Sequence, residues 1–197
     1  MESCGSESRQ VWFEPTDMRK AGKVFQCRHW TSLGYVSPNL NELQVMSQAS
    51  GLFYSLSPFS PSSDDESIVN EASFLARSLV EHIGTAIVTM GKLGILVVRD
   101  GEADEPLLQP CREIPHSKTK VSVRYYPVPF GVVEQKIVNV SGAAGMIHSM
   151  LKGQTEKECV SAGFLAASWA LQSSSAVPDK ILESEMPEQV EFTVIHS

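Results

Sequence analysis

The chain is short of the residues that mark most specialised classes of protein. Its four cysteines, Cys4, Cys27, Cys111 and Cys159, never form a Cys-x-x-Cys pair, so neither a zinc site nor a disulfide framework is indicated. Its five histidines, His29, His82, His116, His148 and His196, lack metal-ligand spacing; His148 reads as a partly exposed helix residue. No apolar run is long enough to span a bilayer. Lysine and arginine (16) are outnumbered by aspartate and glutamate (23), giving a net charge of −7. No basic cluster stands out, which argues against a nucleic-acid-binding surface. Met1 to Ser8 has neither the basic start nor the apolar stretch of a secretory signal. These absences predict a cytoplasmic protein with reduced thiols, no membrane contact, and an accidental sequon at Asn139-Val140-Ser141.

What is present is ordinary globular composition: 197 residues, 42% apolar and 20% charged, suited to one domain with a sizeable core. Residues 1–10 are polar and predict disorder. Val11 to Phe13 predict a short strand, and Thr16 or Asp17 caps a helix from Arg19 to Gln26. Trp30 to Ser37 hold a second strand that Pro38 stops. Leu40, Leu43 and Met46 recur at helical spacing within Asn39 to Gln48. Gly51 to Ser63 predict a loop. Ser63-x-x-Glu66 reads as a capping box before the stripe Ile68, Ala72, Leu75, Leu79 and Ile83, which Gly84 closes. Ala86 to Gly91 and Gly94 to Val98 read as a hairpin. Asp100 to Ser117 is loop, Val121 to Pro127 and Val133 to Val140 are strands, and two helices follow, the second boxed by Thr155-x-x-Glu158. Val190 to Ile195 predict a short edge strand. Early alternation and late hairpins imply an α/β sandwich with a mainly parallel sheet and antiparallel edge strands, whose ligands sit at the carboxyl ends of strands.

The chain is organised around Val138 to His148, an apolar strand running through a turn of small residues into a helix. Free N–H groups and the dipole at such a helix start suit a phosphate, although small residues there also serve plain packing. Asn39-x-x-Glu42 starts a helix with an amide and a carboxylate on one face. That is an ordinary cap, or an acidic group beside a hydrated Mg²⁺. Thr89-Met90-Gly91 and Gly94 read as a hairpin turn or as backbone open to a nucleotide. Glu14 and Asp17 read as a solvated carboxylate and a cap, with an acid–base role as the alternative.

Taken in order, Gly142-Ala143, Ala144-Gly145-Met146, Met150-Leu151-Lys152-Gly153, Thr155 to Glu158, Ala162 to Ala170 and Ala176-Val177-Pro178 resemble the C-terminal signature of the ribokinase-like (PfkB) carbohydrate and nucleoside kinases. Val11 to Asp17 with Val36 to Glu42 looks most like the pseudouridine kinase branch. The resemblance covers residues 11–178 and implies a three-layer α/β/α sandwich. It implies ATP and Mg²⁺ as cofactors, and phosphate transfer to a sugar or nucleoside hydroxyl, pseudouridine being the implied acceptor. By resemblance Gly142, Ala143 and Ala144 form the anion hole, Asn39 and Glu42 lie near the metal, and Thr89, Gly91, Gly94, Ala167 and Ser174 border the nucleotide.

The chain departs from the family in two places. The Asp of the family's Gly-Ala-Gly-Asp, which accepts the proton of the attacking hydroxyl, is absent. Gly145 stands in its place or, in a gapped reading that keeps Met146 to Gly153 in helix register, the Asp is deleted. No residues before Val11 supply the family's N-terminal βαβ portion and lid. The expectation is therefore a disordered N-terminus (1–10), a partial kinase domain holding the nucleotide part (11–178) and a tail (179–197). Such a chain is catalytically impaired, or is a non-catalytic nucleotide- or partner-binding module whose open sheet edge takes a partner chain.

Overall fold

The computed structural model describes residues 10–52, 64–108, 121–129, 140–172 and 190–195. The loop expected at 51–63, the strand expected at 133–140 and Ser174 lie wholly or largely outside the described residues.

Six strands form one sheet in sequence order, β1 (Trp12–Phe13), β2 (Tyr35–Val36), β3 (Thr85–Thr89), β4 (Ile95–Asp100), β5 (Val121–Tyr126) and β6 (Thr193–Val194). The pairs β1–β2 and β2–β3 are parallel, and the remaining three are antiparallel. The sheet is thus mixed rather than mainly parallel. The reason is local: Gly91-Lys92-Leu93 turns the chain straight back after β3, and β5 returns along β4 without a helical crossover.

Helices cover both faces. Alternate residues Val36, Ala86, Val88, Leu96, Val98 and Val123 face α1 (Met18–Ala21), α2 (Leu40–Ala49) and α3 (Asp65–Val80). Tyr35, Ile87, Ile95, Val97 and Tyr126 face α4 (Val140–Leu151) and α5 (Glu156–Gln172). Three layers follow from period-two strands sandwiched between apolar helix stripes.

Several expected boundaries move. The first helix stops at Ala21, because at Gly22 the chain meets α2, where an added Cβ would lie 3.0 Å from Ala49; a 3₁₀ turn, Lys23–Gln26, follows. Trp30–Ser32 is likewise a 3₁₀ turn, which shortens the second strand to Tyr35–Val36. The cap of α3 is Asp64 rather than Ser63: α3 starts at Asp65, so Ser67 is the third helical residue and its N–H reaches Asp64 Oδ1 at 2.8 Å. Nor does Gly84 close α3, which ends at Val80. Gly84 instead packs so tightly on the Gly34 carbonyl that no Cβ fits.

The face under α5 buries charge. Arg99 and Arg124, neighbours across β4 and β5, are 2% exposed and Glu156 is fully buried. Glu156 accepts from Arg99 Nε at 2.6 Å, from Arg124 Nε and Nη2 at 2.6 Å each, and from the Tyr126 hydroxyl at 2.8 Å. The remaining guanidinium donors reach the carbonyls of Gly101, Glu102, Glu105 and Pro106. Every partner is thereby satisfied, the condition under which a buried ion cluster is tolerated.

Candidate functional site

The parallel strands deliver polar groups at their carboxyl ends. Glu14 follows β1, while Ser37, Pro38 and Asn39 follow β2. Asn39 forms an isolated parallel bridge to Thr89, the last residue of β3, and the Thr89 N–H donates to the Pro38 carbonyl at 3.0 Å. Asn39 and Glu42 close a reciprocal capping box: Asn39 Oδ1 accepts from the Glu42 N–H at 3.0 Å, and Glu42 Oε2 accepts from the Asn39 N–H at 2.9 Å. The ordinary helix-start geometry is therefore real. It also fixes the Glu42 carboxylate, 5% exposed, at the end of the sheet.

Glu14 is not a solvated carboxylate. It is half-buried, and the Ser37 hydroxyl donates to it while Trp12 Nε1 donates to Ser37 Oγ at 2.7 Å. Burial raises the Glu14 pKa above the ordinary carboxylate value; the Ser37 and Trp12 hydrogen bonds pull it down, and the nearby Glu42 charge adds to the rise. Two residues on, Thr16 takes a φ of +58°, a left-handed conformation costly for a β-branched side chain. This turn lets Asp17 cap α1, with Oδ1 2.7 Å from the Arg19 N–H, while Glu14 stays directed at Ser37. Sequence reading singled out Glu14 but took it for a solvated carboxylate and missed its contact with Ser37, which spans 23 residues of chain. The signal was a carboxylate immediately after a strand.

Gly91 and Gly94 separate in role. Gly94 has a φ of +108°, and a Cβ there would overlap the Tyr126 carbonyl, so packing alone demands glycine. Gly91, φ +59°, has open space around its missing Cβ and leaves backbone approachable beside Thr89.

On the opposite face α4 already begins at Val140, so Ser141 to Gly145 are helical rather than a separate turn. Gly142 is buried, Ala143 half-buried and Ala144 exposed. With α4 starting at Val140, the backbone N–H groups without an intrahelical acceptor end at Gly142, and those of Ala143 and Ala144 belong to the helix ladder. Gly145 faces α5: a Cβ there would lie 2.6 Å from the Ala162 carbonyl and 2.7 Å from Ala166. A Cβ on Gly163 would lie 2.6 Å from Met146. These contacts make α4 and α5 an antiparallel pair in backbone contact. Since α5 starts beside Arg99, at the far end of β4, α4 directs its N-terminus to the end of the sheet where β3 finishes. Asn39, Glu42, Thr89 and Gly91 are thus gathered together, and Gly142 to Ala144 approach the same end from the other layer. Ala167 lies buried in the latter half of α5.

No family model matches the chain, and no curated protein does. Solved structures do. A carbohydrate kinase from Agrobacterium tumefaciens superposes with a TM-score of 0.55 at 13% identity over 95% of this chain and 48% of its own. Ribokinase from Cryptococcus neoformans, solved with ADP, gives 0.55 at 18% identity over 86% and 48%. The fold is ribokinase-like. Adenosine kinase from Sinorhizobium meliloti gives 0.53 at 17% identity over 87% and 42%. The ribokinase-like chain described here therefore spans about half the length of the sugar and nucleoside kinases it superposes on. Among its described residues no helix is long and apolar enough to cross a membrane.

Proposed function

We propose that the chain is the nucleotide-binding portion of a ribokinase-like kinase, that it holds Mg²⁺-ATP, and that it is catalytically impaired. The observation that carries this reading is the bridge of Asn39 to Thr89, which sets Glu42, Glu14 and Gly91 together at the carboxyl ends of parallel strands, where α/β sheets take their ligands. The donor set fits the metal. Glu14 and Glu42 are two carboxylates at this end of the sheet, and the Glu42 charge is the smallest of the causes acting on Glu14, a repulsion that a divalent cation would relieve. Among the described residues no third acidic, histidine or cysteine side chain joins them. Mg²⁺ retains several waters, so two carboxylates and substrate phosphate oxygens suffice. When bound, it would neutralise charge on the phosphates.

The first turn of α4 offers N–H groups and a positive dipole end to a phosphate, and Gly91 lets backbone come close to the nucleotide. What the chain lacks is a proton acceptor there. Gly145 faces α5, and no carboxylate replaces it between Glu134 and Glu156. A missing base typically removes roughly 10²–10⁴ of rate. Pseudouridine is the acceptor we assign to the intact architecture, on the likeness of residues 11–42, and the cytoplasm is the compartment in which such a chain works.

The test is a thermal melt with and without Mg²⁺-ATP, followed by a phosphoryl-transfer assay on pseudouridine. Ligand at 100 times its Kd adds about 2.7 kcal/mol, a visible shift. A cooperative melt that ignores nucleotide refutes the binding half of the proposal, and measurable product refutes the impaired half. A partner-binding role has its own support in β1, an edge strand of the described sheet whose Val11 and Phe13 carbonyls accept from β2 while the backbone of Trp12 between them is turned to the edge, its ring stacking on Tyr35; Val11 is 47% exposed. Sedimentation of the chain as a lone monomer in cell extract would count against it.

A further inference from the structure

The buried cluster under α5 has no part in the reading above. Glu156 is the first residue of α5, capped from outside by the Thr155–Glu158 box. It joins two arginines from adjacent strands, and those arginines in turn gather the carbonyls of the 101–106 loop. That loop also accepts the Glu156 N–H on the Glu105 carbonyl at 3.1 Å and pairs Pro106 with Thr155. The start of α5 is tied further to that loop, by the Leu107 N–H to the Gln154 carbonyl at 3.1 Å, the Lys157 N–H to the Ala103 carbonyl at 3.4 Å and Lys157 Nζ to Asp104 at 2.8 Å. The contact of the helical pair with the sheet itself is apolar apart from the cluster, through Met146, Met150, Cys159, Val160 and Phe164. Apolar contact is non-directional and leaves a helix free to slide; charge-assisted hydrogen bonds are directional and set register.

The helical pair itself has no slack. With Gly145 against the Ala162 carbonyl and Gly163 against Met146, α4 cannot shift along α5 without overlap, so the two helices move together. We propose that Glu156 is a positioning residue: by pairing with Arg99 and Arg124 it fixes where the α4–α5 pair sits on the sheet, and so holds the first turn of α4 at the phosphate end. This rests on the reading of that turn as a phosphate site. The design explains why a desolvated ion cluster is kept where leucine-sized side chains would fill the space, since apolar replacements of buried ion groups often fold as well or better.

The experiment compares the wild-type chain with Glu156→Gln and with the triple variant Arg99→Met, Arg124→Met, Glu156→Leu, which removes the cluster without stranding a charge. Mg²⁺-ATP affinity is measured by calorimetry at a temperature where circular dichroism shows each protein fully folded. Under those conditions lost stability alone does not move Kd. The expected result is a Kd raised about tenfold or more in the folded triple variant, as misplacement by an ångström can produce. Amide hydrogen exchange over 140–146 should also speed up while that over 40–46 in α2 stays as it was. A folded triple variant with wild-type Kd and unchanged exchange overturns the proposal. If the wild type itself ignores Mg²⁺-ATP, the nucleotide reading fails, and exchange over 140–146 alone decides whether Glu156 positions α4. Should Glu156→Gln not fold, the triple variant carries the test.

Discussion

Gly145→Asp looks like a repair, because it places the missing acid in the ungapped position of the kinase signature. The structure predicts the opposite. The added Cβ would sit 2.6 Å from a backbone carbonyl and 2.7 Å from the Ala166 methyl, neither of which is the far end of a flexible side chain. Overpacking of that kind costs about 1–3 kcal/mol. The carboxylate would then be enclosed between α4 and α5, and an uncompensated buried charge costs about 3–5 kcal/mol. Together these remove about 4–8 kcal/mol from a total that for most domains is about 5–15. At about 2–4 °C per kcal/mol for a chain of this size, the melting temperature should fall by about 10 °C or more. Gly145→Ala should lose only the overpacking part. Lowering the pH should narrow the gap between the two variants, because burial raises the pKa of the introduced acid and protonation removes its charge. The assays are urea and thermal unfolding at pH 7 and pH 4.5, with phosphoryl transfer measured in parallel. A Gly145→Asp protein as stable as wild type, or one that gains kinase activity, would refute this packing argument and restore the ungapped alignment.

Substitutions at two other positions probe the opposite layer. Glu14→Gln keeps an acceptor for the Ser37 hydroxyl and removes a half-buried charge whose pKa burial raises. A raised acid stabilises the fold below its unfolded pKa and loses that contribution as pH climbs through the folded value. The variant should therefore match wild type in acid and exceed it at pH 7; equal melts at pH 7 would contradict this. Wild-type Mg²⁺ affinity should fall as pH drops through the same raised value, since proton and cation compete for Glu14, and a flat titration would remove Glu14 from the cation site. Asn39→Ala should cost about 1 kcal/mol by uncapping α2, while Asn39→Asp, which still caps, should keep stability. Denaturant midpoints for the pair decide the point.

Local signals carried the outline of the fold. The Asn39–Glu42 and Thr155–Glu158 boxes, the α3 stripe from Ile68 to Leu79 and the β3–β4 hairpin are short-range patterns that formed where their spacing put them, although α3 stops before Ile83. What eluded sequence reading was set by distant partners. Arg99 and Arg124 drew no reading from the sequence, because nothing nearby announces Glu156, 57 and 32 residues onward. Glu156 in turn entered only as part of the Thr155 to Glu158 stretch. The helix expected after the turn of small residues instead begins at Val140, and Gly145 is demanded by its contact with α5 rather than by a turn. The parallel share of the sheet was overestimated because strand direction depends on connections, not on composition.

The strand order carries a consequence for how the chain is made. Because each described strand lies beside its predecessor, this sheet can grow outward during synthesis, with none of the described strands having to be threaded between two already in place. Its two faces do not fare alike. The helices covering Val36, Val88 and Leu96 precede or punctuate the strands, whereas those covering Ile87, Ile95 and Val97 end only at Gln172. From the completion of Tyr126 to that of Gln172 one apolar face is bare on the ribosome, for about 2–9 s at common rates of elongation. That interval is when a chaperone, or a second sheet, would find this polypeptide.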